Sequence, residues 1–188
     1  MSDEGHAALT LSFRLATADD AATIARIRTD AARALTAQFG QGHWSSEVSE
    51  RGVLAGFRQA WLILALSGEE IIGTVRLSTR KPWAIDRALF TPVSRPLYLT
   101  DMAVHPDYQR RGIGRRCLVE AERVARVFPA QAIWLDAYDA DAGAGPFYAA
   151  CGFHECGRRA YRGNPLIYFE RAVDAYGASA DTGRTPPS

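Results

Sequence analysis

Apolar residues alternate at Leu11, Phe13 and Leu15, the period of a half-buried strand. Thr17 to Asp20 then offer caps, and Ile24, Ile27, Ala31 and Leu35 recur at helical spacing, so a helix follows the strand. The Gly- and Ser-rich "GQGHWSSE" reads as a loop leading into a second helix that begins near Ser46. Two β-prone runs, Trp61 to Leu66 and Ile71 to Leu77, flank a glycine-containing turn and predict an antiparallel hairpin. Three prolines make Arg80 to Pro96 irregular, after which Leu97 to Val104 resumes as a strand that His105-Pro106 ends.

From Gly112 to Val127 the positions Ile113, Cys117, Leu118, Ala121, Val124 and Ala125 form one helical stripe. Glu120, Glu122, Arg123 and Arg126 are expected to face away, with Glu122 and Arg126 as a favourable i, i+4 pair. "AIWLDAYD" is a buried-type strand, "AGAGPFYAACGF" a short helix stopped by Gly152, and "PLIYFERAV" a last strand. A flexible start over residues 1–10, one domain over 11–173 and a disordered polar tail over 174–188 complete the expected organisation.

Composition narrows the class. With 188 residues, 47% hydrophobic and 23% charged, the chain suits one ordinary globular domain. A net charge of only +1 argues against a nucleic-acid-coating protein and makes any arginine cluster a local feature. The three cysteines, Cys117, Cys151 and Cys156, lack zinc or redox spacing and read as reduced thiols. "MSDEGHAALTLSF" has no long apolar region and no later window matches a membrane span, so a cytoplasmic protein without metal or membrane partner is expected.

The dense stretch is "HPDYQRRGIGRR". A strand ends at Val104, a turn follows and a helix begins, so free helix N–H groups point beyond the strand with arginines around them. Gly112 and Gly114 carry no side chain that would keep a phosphate from the backbone, and Arg110, Arg111, Arg115 and Arg116 add charge. A solvated basic turn would also account for these residues. A dinucleotide fingerprint would need a third glycine where Cys117 stands, and a P-loop would need Lys-Ser/Thr after the second glycine.

This turn, Gln109-Arg110-Arg111-Gly112-Ile113-Gly114, resembles the signature of the GNAT superfamily of N-acetyltransferases, Gln/Arg-x-x-Gly-x-Gly/Ala. A second block, Phe147-Tyr148-Ala149-Ala150-Cys151-Gly152-Phe153, is similar to that family's "LYxxxGF", and the order of elements agrees over residues 11 to 173. The resemblance implies an α/β (α+β) fold with a mixed, mostly antiparallel sheet, helices on both faces and a V-shaped splay between two central parallel strands. It further implies acetyl-CoA as cosubstrate, its pyrophosphate on the amides from Arg110 to Arg115 and its pantetheine along Met102, Ala103 and Val104. Where relatives often carry an Asn that contacts the pantetheine arm, this chain has Asp141, the residue the resemblance implies for that contact.

Acetyl transfer to an amine needs a proton acceptor, a polarised carbonyl and an acid for the departing thiolate. Tyr148 is the candidate acid, with aromatic packing as its bland alternative. Asp101, a carboxylate within an apolar strand, is the candidate base or amine anchor, unless it only pairs with an arginine such as Arg76. His105 and water compete for the base role, and a Cys117 nucleophile lacks a base nearby. His43 and Trp44 on one loop and Trp83 on the segment with Arg80, Lys81 and Arg87 are expected to hold the acceptor, a small primary amine, with the three basic residues on a carboxylate of a zwitterionic acceptor. A peptide or lysine acceptor, and a non-catalytic CoA-binding module, are the alternatives. Monomer and homodimer both remain open.

Overall fold

The computed structural model describes residues 10–173, so the expected tail over 174–188 and the start up to residue 9 lie outside the described residues. A seven-stranded sheet has the order β1-β2-β3-β4-β5-β7-β6, with β1 Leu11–Leu15, β2 Ala60–Ser67, β3 Glu70–Ser78, β4 Pro96–Val104, β5 Ala132–Tyr138, β6 His154–Tyr161 and β7 Asn164–Ala172. Every pairing is antiparallel except that of β4 with β5.

Two helices cover one end of the first sheet face. Helix α1, Ala21–Phe39, starts where the Asp20 carboxylate accepts from the Thr17 amide (2.7 Å) and from both Nη atoms of Arg14 (2.7 and 2.8 Å). The Arg14 guanidinium holds that carboxyl down to about 2. Ile24 and Ala25 of α1, with Val53 of the short helix α2 (Glu50–Ala55), pack on Leu62, Leu64 and Leu66 of β2. The far end of this face is closed by the proline-rich segment instead, whose Ile85 and Phe90 sit on Tyr98, Trp134 and Tyr168. Phe90 stacks on Trp134 with ring centroids 4.5 Å apart.

The opposite face carries helix α3, Ile113–Val127, whose stripe of Ile113, Cys117, Leu118, Ala121, Val124 and Ala125 is buried as expected. Glu122 corrects that reading: it is buried rather than turned outward, because Arg126 and Arg171 both pair with it. Helix α4, Gly145–Ala150, lies on the same face. Strand β6 is the element the sequence did not announce. It is an outer strand with a polar, mostly exposed surface, joined to β7 by Arg162 and Gly163, both left-handed.

Two features of β4 open the sheet. It meets β5 only at Pro96–Ala132, Leu97–Ile133 and Tyr98–Trp134, after which the strands part. On its other side Thr100 faces Arg76 and Ala103 faces Thr74, so Asp101 and Met102 bulge opposite Val75 alone. Asp101 takes φ +56°, a left-handed conformation that aspartate tolerates better than most residues but that still costs about 1–3 kcal/mol.

Candidate active site

The splay separates two cavities that meet at Met102, Ala103, Ala144 and Tyr148. The first, of about 620 Å³, runs from β4 over the turn to α3 and α4. None of the six backbone amides from Arg110 to Arg115 donates to another backbone oxygen among the described residues. Arg110 (φ +60°) and Gly112 (φ +76°) are both left-handed, which turns these amides into a concave run at the positive end of α3. A Cβ on Gly112 would meet nothing within 4 Å, so the space above the turn is open to a ligand. Gly114 is small for another reason: its Cβ would lie 3.1 Å from Phe147 and 3.3 Å from the Met102 methyl. The cradle of donors and the open approach fit a pyrophosphate.

Side chains around the turn act mainly on the protein itself. Gln109 Nε2 donates to the Val104 carbonyl (3.0 Å), tying the turn to β4, and Arg115 Nη2 donates to the Ala150 carbonyl (3.0 Å), tying α3 to α4. Arg111 lies over the Tyr108 ring at 5.5 Å, and Tyr108 donates to Glu70 (2.7 Å). Tyr108 and Phe147, which the sequence reading did not single out, line the cavity, while Arg111 does not.

The second cavity, of about 470 Å³, lies between α1, the loop around Trp44 and the parted ends of β4 and β5. His43 stacks on Tyr138 at 6.2 Å, and Trp44 meets the same ring edge-on at 5.8 Å. Gly42 permits this fold of the loop, because any Cβ there would be 2.5 Å from the Trp44 ring. Asp101 is held by Arg28 of α1, whose Nη2 donates to Oδ1 at 2.6 Å, with Arg76 3.8 Å from Oδ2.

Asp136 of β5 also lines this cavity, and nothing in the sequence reading had marked it. Burial pushes its carboxyl above the usual carboxylate range. Tyr148 is 7% exposed and its hydroxyl faces Met102 Sδ at 3.9 Å, a weak contact that leaves the O–H available. Burial first, then the Asp136 and Cys151 charges, push its phenol up, so it stays protonated across the working range of pH.

The predicted residues therefore divide. Met102, Ala103, Val104, Gln109, Arg110, Gly112, Ile113, Gly114, Arg115 and Tyr148 converge on the first cavity, and His43, Trp44 and Asp101 on the second. Asp141 lines a neighbouring hollow with Arg158 and Glu155. Trp83 is 81% exposed and lines a separate hollow with Lys81, Arg87 and Tyr168, because Ile85 and Phe90 take the inward positions of its segment. Lys81 is spent on the Pro82 and Ile85 carbonyls and Arg87 lies over Trp134, and neither lines the second cavity. His105 caps the turn after β4, its Nδ1 accepting from the Asp107 amide (3.3 Å). Burial pushes the Cys117 thiol up to about 12, away from any nucleophile's range. Among the described residues no group of three or more His, Cys, Asp or Glu side chains could hold a metal ion, and no helix is long and apolar enough to cross a membrane.

The acetyltransferase (GNAT) family profile matches residues 25–153, more than half of the chain, and the chain belongs to that family of acyltransferases. No curated protein sequence matches it. The fold is that of many solved structures. The ribosomal-protein-S18-alanine N-acetyltransferase of Escherichia coli superposes with a TM-score of 0.67 at 17% identity, covering 92% of this chain and 100% of its own. The yncA protein of Salmonella typhimurium, solved with its cofactor acetyl-CoA, gives 0.65 at 17% identity over 92% of this chain and 99% of its own. The paia N-acetyltransferase of Thermoplasma acidophilum, solved with coenzyme A, gives 0.65 at 14% identity over 85% of this chain and 98% of its own.

Proposed function

We propose that the protein transfers the acetyl group of acetyl-CoA to the primary amine of a small molecule by direct attack in a ternary complex. The supporting observation is the meeting of the two cavities at Met102, Ala103, Ala144 and Tyr148: a phosphate cradle lies on one side and a carboxylate-bearing hollow on the other. Bound acetyl-CoA supplies the thioester carbonyl as electrophile. Asp136, ionised above its raised pKa, first takes a proton from the ammonium, and the lone pair so freed bonds to the carbonyl carbon. As the C–S bond breaks, Tyr148 hands its proton to the leaving thiolate and is reprotonated by the second amine proton. Overall, ammonium and thioester yield amide, thiol and one released proton. Asp101, neutralised by Arg28, shapes the β4 bulge and does not act as the base.

The test is Tyr148→Phe. We expect acetyl-CoA binding to persist while kcat falls on the order of 10- to 1000-fold, the scale of one general acid. Unchanged kcat at every pH would return Tyr148 to a packing role.

A further inference from the structure

The walls of the acceptor cavity carry unequal charge. On the wall made by α1 and β4, two guanidiniums share one carboxylate: Arg28 Nη2 lies 2.6 Å from Asp101 Oδ1, and Arg76 Nη1 lies 3.8 Å from Oδ2. Arg76 directs its Nε to the Gly56 carbonyl (2.8 Å), outside the cavity. Arg28 lines the cavity, and its Nε and Nη1 find no acceptor among the described residues. This wall therefore offers the cavity Arg28 donors left over, and Arg76 behind it adds a second positive charge against the one Asp101 carboxylate. On the β5 wall Asp136 is a carboxylate raised by burial, with no cation among the described residues drawing it down. The same cavity is lined by the aromatic cluster of His43, Trp44 and Tyr138.

We propose that the acceptor is a free α-amino acid with an aromatic or long apolar side chain. Its ammonium meets Asp136 beside Tyr148, its carboxylate takes the spare donors of Arg28, and its side chain rests on the aromatic cluster. This deepens the acetyltransferase reading and rests on it. An amine without a carboxylate leaves the Arg28 donors bare, and a peptide N-terminus offers a neutral amide where the surplus charge wants an anion. Three separate attachments on one tetrahedral carbon also discriminate its two mirror images. The arginine that binds the carboxylate is thus Arg28, not Arg80, Lys81 or Arg87.

Thiol release is measured with L-phenylalanine, D-phenylalanine, L-phenylalaninamide, phenethylamine and a phenylalanyl tripeptide, on the parent, Arg28→Gln and Arg28→Lys. We expect the parent to favour L-phenylalanine in kcat/KM over its amide, amine and tripeptide counterparts by roughly 10- to 100-fold, the scale of charge-assisted hydrogen bonds, and to favour it over its mirror image. Arg28→Gln raises KM for L-phenylalanine and collapses that ratio towards about one, and Arg28→Lys restores part of it by charge without the fork. A parent that turns over the tripeptide or phenethylamine as fast as L-phenylalanine overturns the amino-acid acceptor while leaving the acetyltransferase reading intact. So does an Arg28→Gln effect that is equal on every acceptor. Tight acetyl-CoA binding in calorimetry without thiol release for any amine overturns the transferase reading itself.

Discussion

The two cavities on either side of the β4–β5 splay are built by different rules. The proposed cofactor side is made of backbone from one continuous stretch, the six amides from Arg110 to Arg115, set by two left-handed residues. The proposed acceptor side is made of side chains drawn from α1, the Trp44 loop, β4 and β5, far apart in sequence. Backbone recognition reads a feature shared by many molecules, the phosphates of a carrier. Side-chain recognition reads one molecule's charges and shape, and a single substitution changes it. The same fold can thus keep its carrier and exchange its acceptor.

The largest effect expected is on the backbone side. Gly112→Glu forces a side chain into φ +76° and sets a negative charge over the amide cradle, so acetyl-CoA binding should vanish in calorimetry while the fold persists. Binding as tight as the parent's would mean the phosphates lie elsewhere.

Next comes the chemistry at the junction. Asp136→Asn should lower kcat on the order of 100- to 1000-fold while leaving acetyl-CoA affinity unchanged. In the parent, the acid limb of kcat/KM should fall above the ordinary carboxylate range, because burial raises this group. The sign for stability is opposite to that of an ion-paired aspartate. A raised folded-state pKa means that the ionised carboxylate destabilises the fold, fully above that pKa and not at all below the unfolded value. Asp136→Asn should therefore melt higher than the parent at pH 8, with the gap closing as pH falls through the carboxylate range. A variant that melts lower at pH 8 would show the carboxylate to be structurally paired.

The smallest effects separate the two tryptophans. Trp44→Ala should raise KM for the acceptor about 3- to 10-fold, the value of one aromatic contact, with KM for acetyl-CoA unmoved. Trp83→Ala, on the exposed far hollow, should leave both within about twofold. Equal losses from both would place the acceptor between them after all.

The same division explains what could be read in advance. The turn from Gln109 to Gly114 and the Tyr148 block are contiguous, so the family resemblance they carry was enough to propose where the coenzyme lies. Even there the small size of Gly114 answers to Phe147 and Met102, which the residues of the turn do not display. Asp101 and Asp136 carry the same signal, one carboxylate in an apolar strand, and only the first was drawn out. Arg28 falls within the helical stripe of Ile24, Ile27, Ala31 and Leu35, and its reach to Asp101 depends on how α1 crosses β4. Trp83 pointed outward because Ile85 and Phe90 of the same segment had the better claim on Trp134. Strand β6 escaped notice because an outer strand needs few apolar residues to pair.

The brevity of the β4–β5 contact has a consequence for how the molecule comes apart. Three parallel rungs join one half-sheet, β1 to β4, to the other, β5 to β7, and beyond them the facing edges have no strand partner. Hydrogen exchange along the last residues of β4 and β5 should therefore be fast in the free protein, set by opening of this seam rather than by global unfolding. A molecule seated across the seam touches both halves at once. Its binding should slow exchange there and sharpen thermal melting into a single cooperative step.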